Sequence, residues 1–177
     1  GLTGALTASG TMAVCKEMGL PLAVTCGMGG IGNIAGEQLC PDLPALPQLP
    51  VALIATSPKD MLDIQATVDW LREHGVTGYI FRSVHVKLDG YLSTGLERSF
   101  QPVKLLLNPI PEEQRVQNLS LLEQGVAAGL MAQNRGGYYH PAVNGEIDRL
   151  TGGYSSLIQL RSLINNVLLA ECLTKIP

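Results

Sequence analysis

Apolar positions fall in short continuous runs over the first half of the chain and at helical spacing over the second. Thr7 to Glu17 is small and apolar and predicts a buried helix that Gly19 stops. Leu20 to Val24 predicts a short buried strand, and Thr25-Cys26-Gly27-Met28-Gly29-Gly30-Ile31-Gly32-Asn33 a glycine-rich loop behind it. Prolines at 41, 44, 47 and 50 break up the next stretch, which reads as an irregular loop over one edge of the fold. Val51 to Thr56 lies between Pro50 and Ser57-Pro58 and predicts a central strand. Ser57 can cap a following helix, Pro58 suits its first position, and Met61, Leu62, Ile64, Val68 and Leu71 form its apolar stripe up to Gly75. Val76 to Phe81 then predicts another strand. Arg82 to Phe100 shows no clear period, and Val103 to Leu107 fits one strand more. A helix from Glu112 to about Met131 carries Leu119, Leu122, Val126 and Leu130 at helical spacing, and a short helix from Pro141 to Arg149 follows a turn-rich link. After the glycine break Thr151-Gly152-Gly153, Ser155 to Leu173 predicts a long helix with apolar positions on more than one side, as in a helix buried between subunits.

Strand, tight loop, helix and strand in that order are βαβ grammar. They predict an α/β fold, a mostly parallel or mixed sheet with helices on both faces, in one domain over residues 1–177. A chain of 177 residues can hold a real core, burying roughly 70% of its unfolded surface. Charged residues make up only 15% against a usual ~25%, so the surface is apolar for a free monomer and points to an oligomer. Twelve Lys and Arg against fifteen Asp and Glu give a net charge of −3 with no basic block, which argues against nucleic-acid partners and an anionic membrane surface. Cys15, Cys26, Cys40 and Cys172 lie far apart, which disfavours zinc and suits reduced thiols in the cytoplasm. No run of 18 uninterrupted apolar residues is present to span a membrane. The opening Gly1-Leu2-Thr3 has no signal-peptide pattern and reads as a chain that begins in mid-domain.

Two features carry candidate chemistry. Backbone N–H groups of the glycine loop can cradle a phosphate, although the loop lacks both the dinucleotide frame and a Walker lysine and is equally readable as a structural turn. Lys59 follows a buried strand at the edge where open α/β sheets bind ligands. The field of a helix N-terminus and any burial would lower the pKa of an amine there, as a nucleophile needs; the plain alternative is a solvated surface lysine. His74, His85 and His140 are isolated and make no metal pair, and Asp60 and Asp63 suit a first helical turn. Asn165 and Asn166 are unusual in an apolar helix and could bind a ligand or tie helices together.

Several segments in fixed order resemble the pseudouridine-5′-phosphate glycosidases, the family that includes the indigoidine-synthase-A-like proteins. Lys59-Asp60-Met61-Leu62-Asp63-Ile64, with Thr67 and Gly75-Val76, resembles its K-S-I-L-D-I…T…G-V segment. Thr25 to Ile31 is similar to its T-G-G-I-G-G-V loop, with Thr11-Met12 in the helix before. Asn108-Pro109-Ile110-Pro111-Glu112-Glu113 repeats its N-P-I-P-E-E, and Leu150-Thr151-Gly152-Gly153, Ser155 and Asn165-Asn166 resemble its L-T-G-G…S…N-N signature.

The resemblance implies a trimeric α/β enzyme that cleaves or forms the C–C bond between uracil and ribose 5-phosphate, with a divalent metal, usually manganese (Mn2+). A phosphorylated sugar or nucleoside is then the small-molecule partner. Lys59 takes the nucleophile's position, forming a Schiff base with the opened ribose. Thr25, Gly27, Gly29 and Gly30 form the substrate wall, Asp42 takes the place of a substrate-contacting acid, and Gln159, Asn165 and Asn166 fall at amide positions of the site. The departures are as specific. The family's H-R-G becomes Gly32-Asn33-Ile34, its metal-binding aspartate becomes Gln38, a poor manganese ligand, and its active-site asparagine becomes Gln159. Its T-D-E-F-P-A-F-Y stretch is absent around Ile80 to Asp89. The family's general-acid glutamate and a second substrate lysine lie upstream of the matched region, so the expected domain lacks the family's N-terminal part. Two functions are open on this footing: a glycosidase-like lysine enzyme, or a catalytically degenerate homologue that binds a small ligand or a partner subunit.

Overall fold

The computed structural model describes residues 6–32, 39–57, 62–80, 104–116 and 118–174. The chain divides into two compact units, Gly1–Glu112 with Ser162–Pro177, and Glu113–Arg161.

The first unit opens with α1 (Ala8–Glu17), whose N-terminus Thr7 caps by accepting the Gly10 N–H at 3.0 Å. Gly19 ends it at φ +68°, a conformation that costs other residues a Cβ clash, and the Leu20 N–H closes the turn on the Cys15 carbonyl. Next come β1 (Leu22–Val24), β2 (Ile31–Gly32), α2 (Asp42–Gln48), β3 (Ala52–Ala55), β4 (Leu62–Asp63), α3 (Ile64–Glu73), β5 (Gly78–Ile80) and β6 (Leu105–Leu107). The main sheet is parallel throughout, in the order β1-β3-β6-β5, and β2 and β4 form a separate antiparallel pair.

Strand alternation sorts the core into two layers. Leu53, Ala55, Leu105 and Leu107 point into a cluster with Met12 and Cys15 of α1, Leu43 and Leu46 of α2 and Leu71 of α3. Ile54 and Leu106 point the other way, against Leu173, with Leu169 and Ala170 of the C-terminal helix beside it. The α/β expectation with helices on both faces is met. Every residue of β3 is buried, as a central strand requires.

Two local expectations of this unit are corrected. The proline-rich stretch after Cys40 is not irregular, because Asp42–Gln48 is helical. Pro44 lies in the first turn, whose N–H groups have no partner inside a helix, so its missing donor costs nothing there. Burial of Leu43 and Leu46 against α1 and the sheet supplies the stabilisation. The helix expected from Ser57 and Pro58 begins instead at Ile64, capped by Asp63, whose Oδ1 accepts the Ala66 N–H at 2.8 Å. Leu62 and Asp63 are drawn into pairing with Ile31 and Gly32. The expectations for Pro58, Asp60 and Arg82–Phe100 fall outside the described residues.

The second unit holds α4 (Leu119–Asn134), α5 (Tyr139–Leu150) and the start of α6 (Tyr154–Thr174), which ends in the first unit. The helix placed from Glu112 thus starts at Leu119, capped by Asn118, and a short 3-10 turn occupies Glu112–Gln114. Gly125 and Gly129, four residues apart on α4, lie against α5: a Cβ on Gly125 would come 2.7 Å from Ile147, and one on Gly129 2.5 Å from the Tyr139 ring. Gly152 and Gly153 turn the chain between α5 and α6 at φ +61° and +87°. Asp148 spans that turn, its Oδ1 accepting the Ser155 hydroxyl and the Ser156 N–H, each at 2.9 Å. These bonds, the Ser156 backbone bond first, hold the Asp148 carboxyl below its ordinary pKa. Among the described residues no helix is long and apolar enough to cross a membrane.

Candidate functional site

In an open parallel sheet the carboxyl ends of the strands form the ligand edge. Here that edge is built from Thr25 after β1, Thr56 and Ser57 after β3, and Asn108 after β6. The ladder runs on past the strands: the Thr25 N–H reaches the Ile54 carbonyl (2.9 Å), the Thr56 N–H the Cys26 carbonyl (2.8 Å) and the Asn108 N–H the Ala55 carbonyl (2.8 Å). Met28 N–H donates to the Ser57 carbonyl at 3.4 Å, so the glycine loop is hydrogen-bonded along the end of β3.

Behind the edge stands Asn166 of α6, 0% exposed. Its Nδ2 donates to the Thr25 carbonyl at 2.8 Å and to Thr56 Oγ1 at 3.3 Å, and its Oδ1 accepts from Asn108 Nδ2 at 2.9 Å. A buried amide without such partners would be costly; this one is satisfied at both ends. Asn165 is turned about 100° around the helix and is exposed.

The far end of the loop is clamped separately. The Asp42 carboxylate, buried, accepts the Gly29 N–H on Oδ2 and the Ser9 N–H in the first turn of α1 on Oδ1, both at 2.8 Å. The second bond places negative charge at a helix N-terminus, where it is favourable. Thr67 of α3 accepts the Ile31 N–H at 3.0 Å and donates its own O–H to the Asp63 carbonyl at 2.6 Å. Packing requires glycine at two of the three candidate site positions Gly27, Gly29 and Gly30. A Cβ on Gly29 would fall on Cys40 Sγ, and one on Gly30 would come 2.6 Å from Thr67 Oγ1. At Gly27 a Cβ would meet only the Ser57 carbonyl, at 3.7 Å.

The structure therefore brings Thr25, Gly27, Gly29, Gly30, Asp42 and Asn166 into one neighbourhood. Asn165 faces away, and Gln159 is half-buried on the α6 segment of the second unit. Lys59 and Gln38 lie outside the described residues. Thr56, Asn108 and Thr67 were not singled out as site residues, although Asn108 and Thr67 stand in the segments that resemble the family. The phosphate-cradle reading is narrowed: the Gly29 N–H already serves Asp42, and a phosphate there would face that carboxylate.

Manganese needs several hard oxygen donors. Among the described residues no three of His, Cys, Asp and Glu gather into such a group. Asp42, the acid at the loop, has backbone N–H groups on both oxygens. Gln38, at the family's metal-acid position, lies outside the described residues.

A family model described as "Indigoidine synthase A like protein" matches residues 1–93. The chain is 28% identical to a pseudouridine-5′-phosphate glycosidase of Geobacillus kaustophilus, over 97% of its own length and 65% of that protein's. It is 26% identical to pseudouridine-5′-phosphate glycosidase 2 of Photorhabdus laumondii subsp. laumondii, over 96% and 62% of the respective lengths. The chain thus spans just under two thirds of these curated relatives. Its fold is similar to that of the prealnumycin C-glycosynthase AlnA, solved in complex with ribulose 5-phosphate, with a TM-score of 0.70 and 21% identity over 92% of this chain and 62% of that one. Since 93 of the 177 residues lie within the family match, the chain belongs to the indigoidine synthase A-like family.

Proposed function

We propose that the chain acts on a pentose phosphate at the carboxyl edge of its parallel sheet, with the Lys59 amine as the covalent group. The observation that carries this reading is the junction of the glycine loop with the end of β3, made by the Thr56–Cys26 and Met28–Ser57 backbone bonds. The sequence runs on from Ser57 through Pro58 to Lys59. Relatives named as pseudouridine-5′-phosphate glycosidases, and a similar fold that holds ribulose 5-phosphate, support a phosphorylated sugar as the ligand.

In the glycosidase direction the amine bonds to C1′, O4′ leaves C1′ and takes a proton, and the ring opens. Uracil then departs protonated as the nitrogen lone pair forms the C1′ imine, and water hydrolyses the imine to ribose 5-phosphate and free lysine. With ribose 5-phosphate alone, the open-chain aldehyde and the amine condense to the same imine with loss of water. Borohydride reduces that imine to a stable secondary amine. Peptide mass spectrometry after such treatment is expected to find the adduct on Lys59, and an unmodified Lys59 would overturn the proposal. The same reading makes the chain a homotrimer of the cytoplasm.

The second reading, a degenerate homologue that binds without catalysis, is favoured by Asp42. Its buried carboxylate accepts one N–H on each oxygen, from the loop and from α1, which gives it a structural role that needs no substrate. Release of uracil from pseudouridine 5′-phosphate would eliminate that reading.

A further inference from the structure

We infer that Asn166 is a positioning residue, whose one buried amide holds the carboxyl ends of β1, β3 and β6 together and thereby sets the glycine loop. A side-chain amide has two N–H donors, and here the Thr25 carbonyl and Thr56 Oγ1 take them. The Thr25 carbonyl can only accept, so the nitrogen must face it and the oxygen must face Asn108. No donor is left for a ligand. The three partners are the residues that directly follow three neighbouring strands, and each also carries a backbone bond across to the next strand or loop. The amide comes from the sheet's other face, where Leu169 and Leu173 of the same helix pack on Ile54 and Leu106. Asn166 thus links the packing of α6 to the geometry of Thr25, the first residue of the loop.

This inference rests on the proposed location of the site, but its main test does not require activity. Asn166→Asp keeps the acceptor for Asn108 and turns a carboxylate oxygen onto the Thr25 carbonyl. Asn108→Ser, at a half-buried position, removes a single bond and spares the fold where the first change is too severe. Hydrogen exchange read by mass spectrometry is expected to quicken about tenfold over residues 22–32 in either variant, with α3 unchanged. In borohydride trapping, the half-saturating concentration of ribose 5-phosphate should rise in both variants while the plateau of adduct stays. Loop exchange that matches the wild type in both folded variants would overturn the inference, and a raised half-saturation with unchanged exchange would make Asn166 a ligand contact instead. If the wild type itself is not trapped, the Schiff-base reading fails, while the exchange result still decides the role of Asn166.

Discussion

Gly27, Gly29 and Gly30 look equivalent in the sequence, and the structure separates them by what lies above each Cα. Gly29 is fixed by Cys40, so Gly29→Ala should destabilise the fold by about 1–3 kcal/mol, the usual cost of overpacking. Adding Cys40→Ala should recover part of that loss by removing the sulfur, which a denaturant titration of both variants would measure. Gly27 has open space, so Gly27→Ala should leave the unfolding free energy within about 0.5 kcal/mol of the wild type. If the loop is the substrate wall, the same change should raise the ribose 5-phosphate concentration needed for trapping several-fold; unaltered trapping would move the ligand away from that face. The loop was legible because glycines after an apolar run mark it, and Asn166 because it is polar in an apolar helix, whereas Asp42 was marked by the family resemblance alone. Their direction was not legible. Asn165 and Asn166 are adjacent in sequence, and only the packing of α6 shows that the second is inside and the first outside.

At the scale of elements, strands were read from apolar runs bounded by proline and glycine, and helix ends from Gly19, Gly75 and Gly152, each of which has positive φ. What the pattern missed were elements set by contacts distant in sequence. Helix α2 forms despite Pro44 and Pro47 because its leucines are buried, and β4 interrupts a continuous apolar stripe because Ile31 and Gly32 pair with it. The α5–α6 turn gives a pH prediction. Serine donors lower the native pKa of Asp148, so the unfolded chain takes up its proton first as pH falls. The stabilisation is full above the ordinary aspartate value of about 3.9 and is lost as pH falls through the lower native value. Wild type should therefore melt above Asp148→Asn near pH 6, and the difference should shrink below about pH 4. A difference in melting temperature that is constant from pH 6 to pH 3 would contradict this origin.

At the scale of the whole molecule, the low charge fraction finds a place on α6. Ile158, Ser162, Asn166 and Leu173 occupy its buried side, while Leu157, Leu160, Ile164, Val167 and Leu168, all 41–55% exposed, share a second stripe about 100° wide. A helix apolar on both sides is the pattern of an element enclosed by partners, and such a contiguous patch marks an interaction surface. If the chain assembles with copies of itself, as the proposed function holds, this stripe is the surface to disrupt. Light scattering behind size exclusion is then expected to give a multiple of the 18.8 kDa chain. The pair Leu160→Glu and Ile164→Glu should bring the mass back to one chain with unchanged far-ultraviolet circular dichroism. Half-exposed aliphatic side chains yield about 1 kcal/mol each on full burial, so the pair should weaken each contact roughly thirtyfold before any repulsion between the new carboxylates. Wild type running as a single chain at micromolar concentration would end the oligomer proposal. An oligomer that survives both substitutions would place the contact on another surface.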